Sequence, residues 1–221
     1  MRPDTDTMPT VLHLRNERPT DLPPGLADDD VRYAPALVEH FVGQYTQPGD
    51  IVFDPFCGFG TTLLVAEAMG RVSCGVELLP KRVAYIRRQL REPSAIRQGD
   101  ARHLDALDLP SFDLSITSPP FRTRANHPQN PLDGYRTQGN SYGQYIDDLT
   151  AIYAQVRSLM KPEALVVIEA ANLRVGEQVT PLAWDIARAV SRVLTFQGET
   201  VVAWDQYGFG YDHSYCLTFT V

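Results

Sequence analysis

Three features of the sequence predict an α/β protein whose sheet is mostly parallel and covered by helices on both faces. Short apolar runs of strand type alternate with amphipathic runs of helix type from residue 35 to residue 194, the pattern of parallel strands joined by helical crossovers. Acids stand where three successive strands end, at Asp54, Glu77 and Asp100, the edge at which open α/β sheets bind ligands. The last stretch reads as two strands around Tyr207-Gly208-Phe209-Gly210, which closes the sheet with an antiparallel hairpin.

The elements follow in order. Residues 1–30 hold Pro3, Pro9, Pro19, Pro23 and Pro24 and close on Asp28-Asp29-Asp30. They read as an N-terminal arm in which only Val11–Leu14 has strand character. Pro35 to Thr46 is a helix with proline at its start and Leu37, Val38, Phe41, Val42 and Tyr45 on one side. After the Gly49-Asp50 turn, Ile51 to Phe53 is a buried-type strand ending at Asp54. A glycine loop leads into a helix over 61–68 that Gly70 closes. Arg71 to Glu77 is a strand, Pro80 to Arg91 a helix, Ala95 to Gln98 a weak strand and Phe112 to Thr117 a fourth strand. Residues 122–143 form a long polar loop. A helix over 144–160 carries Ile146, Leu149, Ile152, Tyr153, Val156, Leu159 and Met160 at helical spacing. Leu165 to Glu169 is the fifth strand, Pro181 to Leu194 a helix, and 200–204 with 214–221 the hairpin.

Length and composition bound the function. The 221 residues, 43% apolar and 21% charged, suit one domain over 31–221 behind the arm. No apolar run approaches the roughly 20 residues of a membrane span, and the first residues lack a secretory pattern, so the expected location is cytoplasmic. Three scattered cysteines, with neither CxxC nor HExxH, predict no disulfide framework and no metal. The net charge of −7 argues at first against a nucleic-acid partner. Its distribution weakens that argument, because the first 30 residues alone hold seven acids against three arginines. The loop after the fourth strand carries Arg122, Arg124 and Arg136 against Asp133, with Tyr135 and Tyr142 between them. Basic and aromatic residues so interleaved suit phosphates and stacked bases, although a solvated lid would look the same. The run Lys81, Arg82, Arg87, Arg88, Arg91 is read as a phosphate-facing stripe or, more simply, as a solvated helix face.

The chemistry begins in Asp54-Pro55-Phe56-Cys57-Gly58-Phe59-Gly60-Thr61-Thr62. Gly58 and Gly60 let the backbone approach a ligand, and the amides of Thr61 and Thr62 open a helix, where an anionic group is favoured. The dinucleotide fingerprint fails at Leu63 and no P-loop lysine follows. Glu77, some 20 residues on, stands where an acid can hold ribose hydroxyls. Two glycines alone would be only a tight turn; three strand-end acids around them suggest a nucleoside-containing cofactor. The fourth strand then runs into Ser118-Pro119-Pro120-Phe121. Two prolines fix φ and donate no N–H, so the carbonyls there make a rigid acceptor site. Ser118 adds a hydroxyl and Phe121 a flat face, a combination that can grip a planar conjugated amine.

These two motifs resemble those of the amino-methyltransferases that use S-adenosylmethionine, the N6-adenine and N4-cytosine DNA methyltransferases. Asp54 to Thr62 is similar to their first motif, Ser118 to Phe121 to their catalytic tetrad, and Tyr33 to Asp50 to the helix and Gly-Asp turn before the first strand. The resemblance implies a Rossmann-like class I methyltransferase fold with a seven-stranded sheet. It implies S-adenosyl-L-methionine as cofactor, held by Asp54, Pro55, Phe56, Gly58, Gly60, Thr61, Thr62, Glu77, Leu78, Asp100 and Ala101. Ser118, Pro119, Pro120 and Phe121 would be catalytic, and Arg122, Arg124, Arg136 and Tyr142 would meet the substrate. That substrate would be a cytosine N4 or adenine N6 amine in DNA, flipped from its stack, in the setting of restriction-modification.

Three departures stand out. The cofactor motif precedes the tetrad, the reverse of the order common among proteins with this first motif. Phe59 replaces a usual serine, and Phe121 a commoner tyrosine. Little chain is left over for reading a long site, so a partner subunit that supplies recognition is one expectation. RNA amines, protein amides, small-molecule amines and a catalytically silent subunit are the alternatives.

Overall fold

A computed structural model describes residues 9–18, 22, 32–121, 142–208 and 211–221. Ten strands and five α-helices appear among them. In chain order they are β1 (Val11–Leu14), α1 (Pro35–Tyr45), β2 (Ile51–Asp54), α2 (Thr61–Ala68), β3 (Val72–Glu77), α3 (Pro80–Arg87), β4 (Ile96–Gln98), β5 (Phe112–Thr117), α4 (Tyr142–Ser158), β6 (Met160–Ala170), β7 (Leu173–Val175), β8 (Gln178–Thr180), α5 (Leu182–Val190), β9 (Thr195–Gly208) and β10 (Tyr211–Thr220).

The main sheet has the order β1-β9-β10-β6-β5-β2-β3-β4. From β6 to β4 all neighbours are parallel. The chain then reverses, and β10 slots antiparallel between β6 and β9. This is the expected seven-stranded sheet with its hairpin, plus one strand. The arm supplies the eighth: β1 pairs in parallel with β9, Val11 opposite Val201 and Leu14 opposite Trp204. Alternation explains the docking, because Leu12 and Leu14 pack on the core while Val11 points outward.

Both faces are covered. On one, α1 seats Leu37, Val38, Phe41, Val42 and Tyr45 against Val52, Leu114, Ile116 and Val167. On the other, Leu149, Ile152, Tyr153 and Val156 of α4 and Leu182, Ala183 and Ile186 of α5 cover Phe53, Phe112, Val166 and Ile168. A third cluster ties Leu63 of α2 to Val83 and Ile86 of α3 and to Ile96. No helix among the described residues is long and apolar enough to cross a membrane.

Several boundaries differ from expectation for local reasons. The helix expected to reach Arg91 ends at Arg87, and the Glu67 carboxylate accepts the amides of Arg91 at 2.8 Å and Glu92 at 3.3 Å, drawing the chain toward α2. Helix α4 stops at Ser158 because Met160 already pairs with Phe112. Helix α5 stops at Val190, and β9 starts at Thr195, opposite Thr220. The hairpin of β7 and β8, around Gly176-Glu177, has no counterpart in the sequence reading.

Candidate active site

The glycine loop is built on two buried acids. Asp54 ends β2 and is 1% exposed. One of its oxygens accepts the Phe56 amide at 2.9 Å and the other the Thr62 hydroxyl at 2.6 Å, so the carboxylate clasps the loop to the first turn of α2. Burial pushes its pKa up to about 6, against the opposing hydrogen bonds of the Thr62 hydroxyl and the Phe56 amide. Glu77 ends β3 and is 3% exposed. It accepts the amides of Gly58 at 2.9 Å and Leu79 at 2.8 Å. Burial raises its pKa too, while those amides and the Arg82 charge oppose the rise. Each oxygen carrying one hydrogen bond keeps a lone pair for a second donor. Two buried carboxylates beside a glycine turn therefore suit a ligand with a cationic amine and hydroxyls.

Backbone geometry makes the turn possible. Gly60, the residue before α2, has φ of 84°, which only glycine adopts freely. Gly75 on β3 sits so close to the loop that a Cβ there would lie 2.1 Å from Cys57 Sγ and 2.9 Å from the Asp54 carbonyl oxygen. Cys57 is buried and its thiol pKa is raised by burial, so it packs as a small apolar group and not as a nucleophile.

Phe59 faces α3. It is 4% exposed, with the Arg82 guanidinium 4.6 Å above its ring and Tyr85 edge-on at 6.2 Å. Arg82 is itself buried, unlike the solvated face that its charge run suggested. Arg32 approaches the same ring at 6.0 Å. Next to it, the Tyr33 hydroxyl makes a short hydrogen bond with the Thr62 hydroxyl. The chain just before α1 is thereby laid across the glycine loop.

The remaining expected residues fall into three groups. Asp100 follows β4 and caps the 3-10 turn over Ala101–Ala106 through the Arg102 amide at 2.9 Å. It also pairs with the Arg102 guanidinium at 2.6 Å, which holds its pKa down. Ser118, Pro119, Pro120 and Phe121 leave the end of β5, which pairs with β2 through Val52↔Leu114 and Phe53↔Ser115. The tetrad and the glycine loop thus leave neighbouring strands at the same sheet edge. Phe121 is half-buried and packs on the core below α4. Arg122, Arg124 and Arg136 lie outside the described residues. Tyr142, expected in the loop, is instead the first residue of α4, where its hydroxyl donates to Asp185 Oδ2 at 2.8 Å. That bond anchors α4 to α5, and the half-buried ring packs on the core.

Sequence reasoning did not place Tyr33 or Arg82 against the glycine loop, nor Glu169 near Tyr33. Glu169 is 4% exposed near the end of β6, one register step beyond Ile168, the partner of Thr117. Its charge raises the Tyr33 and Cys216 pKa values after the larger effect of burial. An acid closing the apolar run Val166-Val167-Ile168 was the available signal.

Comparison with known proteins now bears on this geometry. Residues 14–88 match the family model of N6/N4 methyltransferases, described as DNA methylase. That match spans the glycine loop, Asp54 to Thr62, and ends before the Ser118–Phe121 tetrad. A stretch of 49 residues is 43% identical to the type II methyltransferase M.MjaII of Methanocaldococcus jannaschii, covering 22% of this chain and 9% of that protein. Among solved structures, TrmN from Thermus thermophilus superposes with a TM-score of 0.60 at 18% identity, covering 89% of this chain and 52% of that one. The glycopeptide N-methyltransferase MtfA with S-adenosyl-L-homocysteine gives 0.57 at 15% identity, covering 85% and 89%. The fold is the Rossmann-like fold of S-adenosylmethionine-dependent methyltransferases. This chain spans about half of TrmN and a small part of M.MjaII.

Proposed function

We propose that this protein transfers a methyl group from S-adenosylmethionine to an exocyclic amino nitrogen of a DNA base, the N4 of cytosine or the N6 of adenine. The observation that carries the reading is the pairing of β2 with β5, which delivers the glycine loop and the Ser-Pro-Pro-Phe tetrad to one sheet edge. The DNA methylase match over 14–88 and the M.MjaII relative support the base-amine class.

The residues present fit that cofactor. Asp54, as a carboxylate, would neutralise its amino group, and Glu77 has lone pairs free to accept ribose hydroxyls. The first amides of α2 would face its carboxylate, and Pro55, Phe56, Leu78, Asp100 and Ala101 would line the remainder. Bound there, it would supply an electrophilic methyl on a sulfonium, leaving as a neutral thioether.

The chain's own contribution is orientation. An amine conjugated with its ring is a weak nucleophile. Acceptors at Ser118 Oγ and the Pro119 carbonyl would hold its two protons and turn its lone pair out of conjugation. Pro120 keeps that corner rigid, and Phe121 would stack on the ring. The proton can leave after the carbon–nitrogen bond forms, so no strong base is needed. Arg122, Arg124 and Arg136 would meet the phosphates, and a partner subunit would supply sequence recognition.

Radiolabelled S-adenosylmethionine, incubated with DNA and in parallel with RNA, tests the reading. Label in DNA is expected, lost in Ser118→Ala and Phe121→Ala while S-adenosylhomocysteine still binds by calorimetry. Label in RNA alone would replace the DNA substrate, and loss of cofactor binding in Ser118→Ala would undo the assigned role.

A further inference from the structure

An aromatic ladder with a cation at one end stands outside the site described above. Arg174 of β7 lies 5.5 Å over the Tyr211 ring. Tyr211 meets His213 edge-on at 5.5 Å, and His213 meets Tyr215 at 5.2 Å, with its Nε2 hydrogen-bonded to the Tyr215 hydroxyl at 2.9 Å. Trp184 of α5 closes the run, 4.8 Å from Tyr215.

The three β10 residues alternate along the strand and so share one face, which continues inward as the buried Leu217 and Phe219. The core layer between the sheet and α5 thus runs out into solvent as rings. Trp184 is 43% exposed, Arg174 is exposed, and the other three are half-buried. Trp204, by contrast, is 6% exposed and donates to Ser214 Oγ at 2.9 Å. A ladder that served only as core would bury Trp184 in the same way.

Register locates the ladder relative to the tetrad. Tyr215 pairs with Ala170 of β6, and Ile168 pairs with Thr117 of β5. Tyr215 is therefore about 10 Å from the β5 axis, two strand spacings, at the level where Ser118 leaves the sheet. Tyr211 lies about 13 Å further along its strand, past the same sheet edge.

We propose that this ladder is a stacking platform for a single-stranded stretch of DNA beside the target base. Rings in a row with a guanidinium at one end suit bases and a phosphate, and stacking is tolerant of sequence. The proposal rests on the base-amine reading above and gives it a surface outside residues 122–141. Stacking does not by itself distinguish DNA from RNA, so RNA is the control in the experiment.

Fluorescent single-stranded DNA and RNA of one sequence, and the DNA duplex, are titrated with the full chain by anisotropy. Trp184→Ala and Tyr211→Ala should each weaken single-strand binding about fivefold or more, while Trp184→Phe and Tyr211→Phe, which keep a ring, should restore most of it. A fall for RNA alone, with DNA affinity unchanged, overturns the assignment to DNA. S-adenosylhomocysteine binding and the urea midpoint, measured in parallel, should stay near wild type for Trp184→Ala. Unchanged single-strand affinity in both alanine variants, or a wild-type protein that binds neither strand, overturns the platform. Ladder-independent DNA methylation would sink the platform and keep the function. Ladder-dependent strand binding without any methyl transfer would do the reverse.

Discussion

Replacing Asp54 by asparagine should stabilise the protein at neutral pH and destroy its cofactor site. Burial lifts this carboxyl from 3.8 to about 6, so at pH above 6 the folded state holds a charge that water would hold better. At 1.36 kcal/mol per pKa unit, the deficit is about 3 kcal/mol. The sign follows from proton counts. Between pH 4 and 6 the folded state binds more protons than the unfolded one, so this group's contribution to stability falls as pH rises, then levels off. The substituted side chain would keep an acceptor for the Phe56 amide and turn its own amide toward the Thr62 hydroxyl. Imperfect geometry offsets part of the gain, leaving roughly 1–2 kcal/mol at pH 8. Urea unfolding at pH 8 and pH 5 reads it: the advantage of Asp54→Asn should shrink by roughly 1 kcal/mol or more at pH 5, where the wild-type carboxyl is mostly protonated. Calorimetry with S-adenosylhomocysteine should show binding lost in the variant and weakened in wild type below pH 6. A variant less stable than wild type at pH 8, by an amount that ignores pH, would refute the reasoning.

Two further outcomes follow from the same loop. Gly75→Ala would put a methyl 2.1 Å from Cys57 Sγ and 2.9 Å from the Asp54 carbonyl, costing about 2 kcal/mol or more in urea unfolding. Adding Cys57→Ala should recover part of that loss, because the sulfur is the nearest obstruction while the carbonyl cannot yield. Phe59→Ser removes a buried ring and with it the face on which the buried Arg82 stacks. It should cost about 3 kcal/mol or more by thermal unfolding, despite serine being usual at this position; a neutral result would mean that the ring is not part of the packing.

Much of this was legible because it is local. The strand–glycine–helix grammar around Asp54, the proline at the start of α1 and of α3, and the period of α4 are each written within a dozen residues. What was not legible depends on distant partners. The Arg87 stop of α3 depends on Glu67 of another helix, and the start of β6 at Met160 on Phe112. The placement of Arg82 needed Phe59, more than 20 residues away, to turn a surface-like arginine inward. Tyr142 looked like loop because Asp185, its partner, is a helix and a sheet away in sequence. Asp54, Glu77 and the tetrad stand out in the sequence because their residue types are costly to explain otherwise. Glu169 and Tyr33 were passed over, as one acid or one phenol in a chain says little until its neighbours are known.

The edge pairing of β1 with β9 has a consequence for how the chain is made. Val11 and Val201 are partners, so β1 leaves the ribosome well before the strand it pairs with and must wait for β9. At about 5–20 residues per second, that wait is roughly 10–40 s. The acids of β2 and β3 and the tetrad after β5 have all emerged by residue 121, and their parallel neighbours are in place once β6 is made. The sheet can thus assemble from its parallel middle outward, and β1 docks only after β9 is made, covering the edge that β9 would otherwise present.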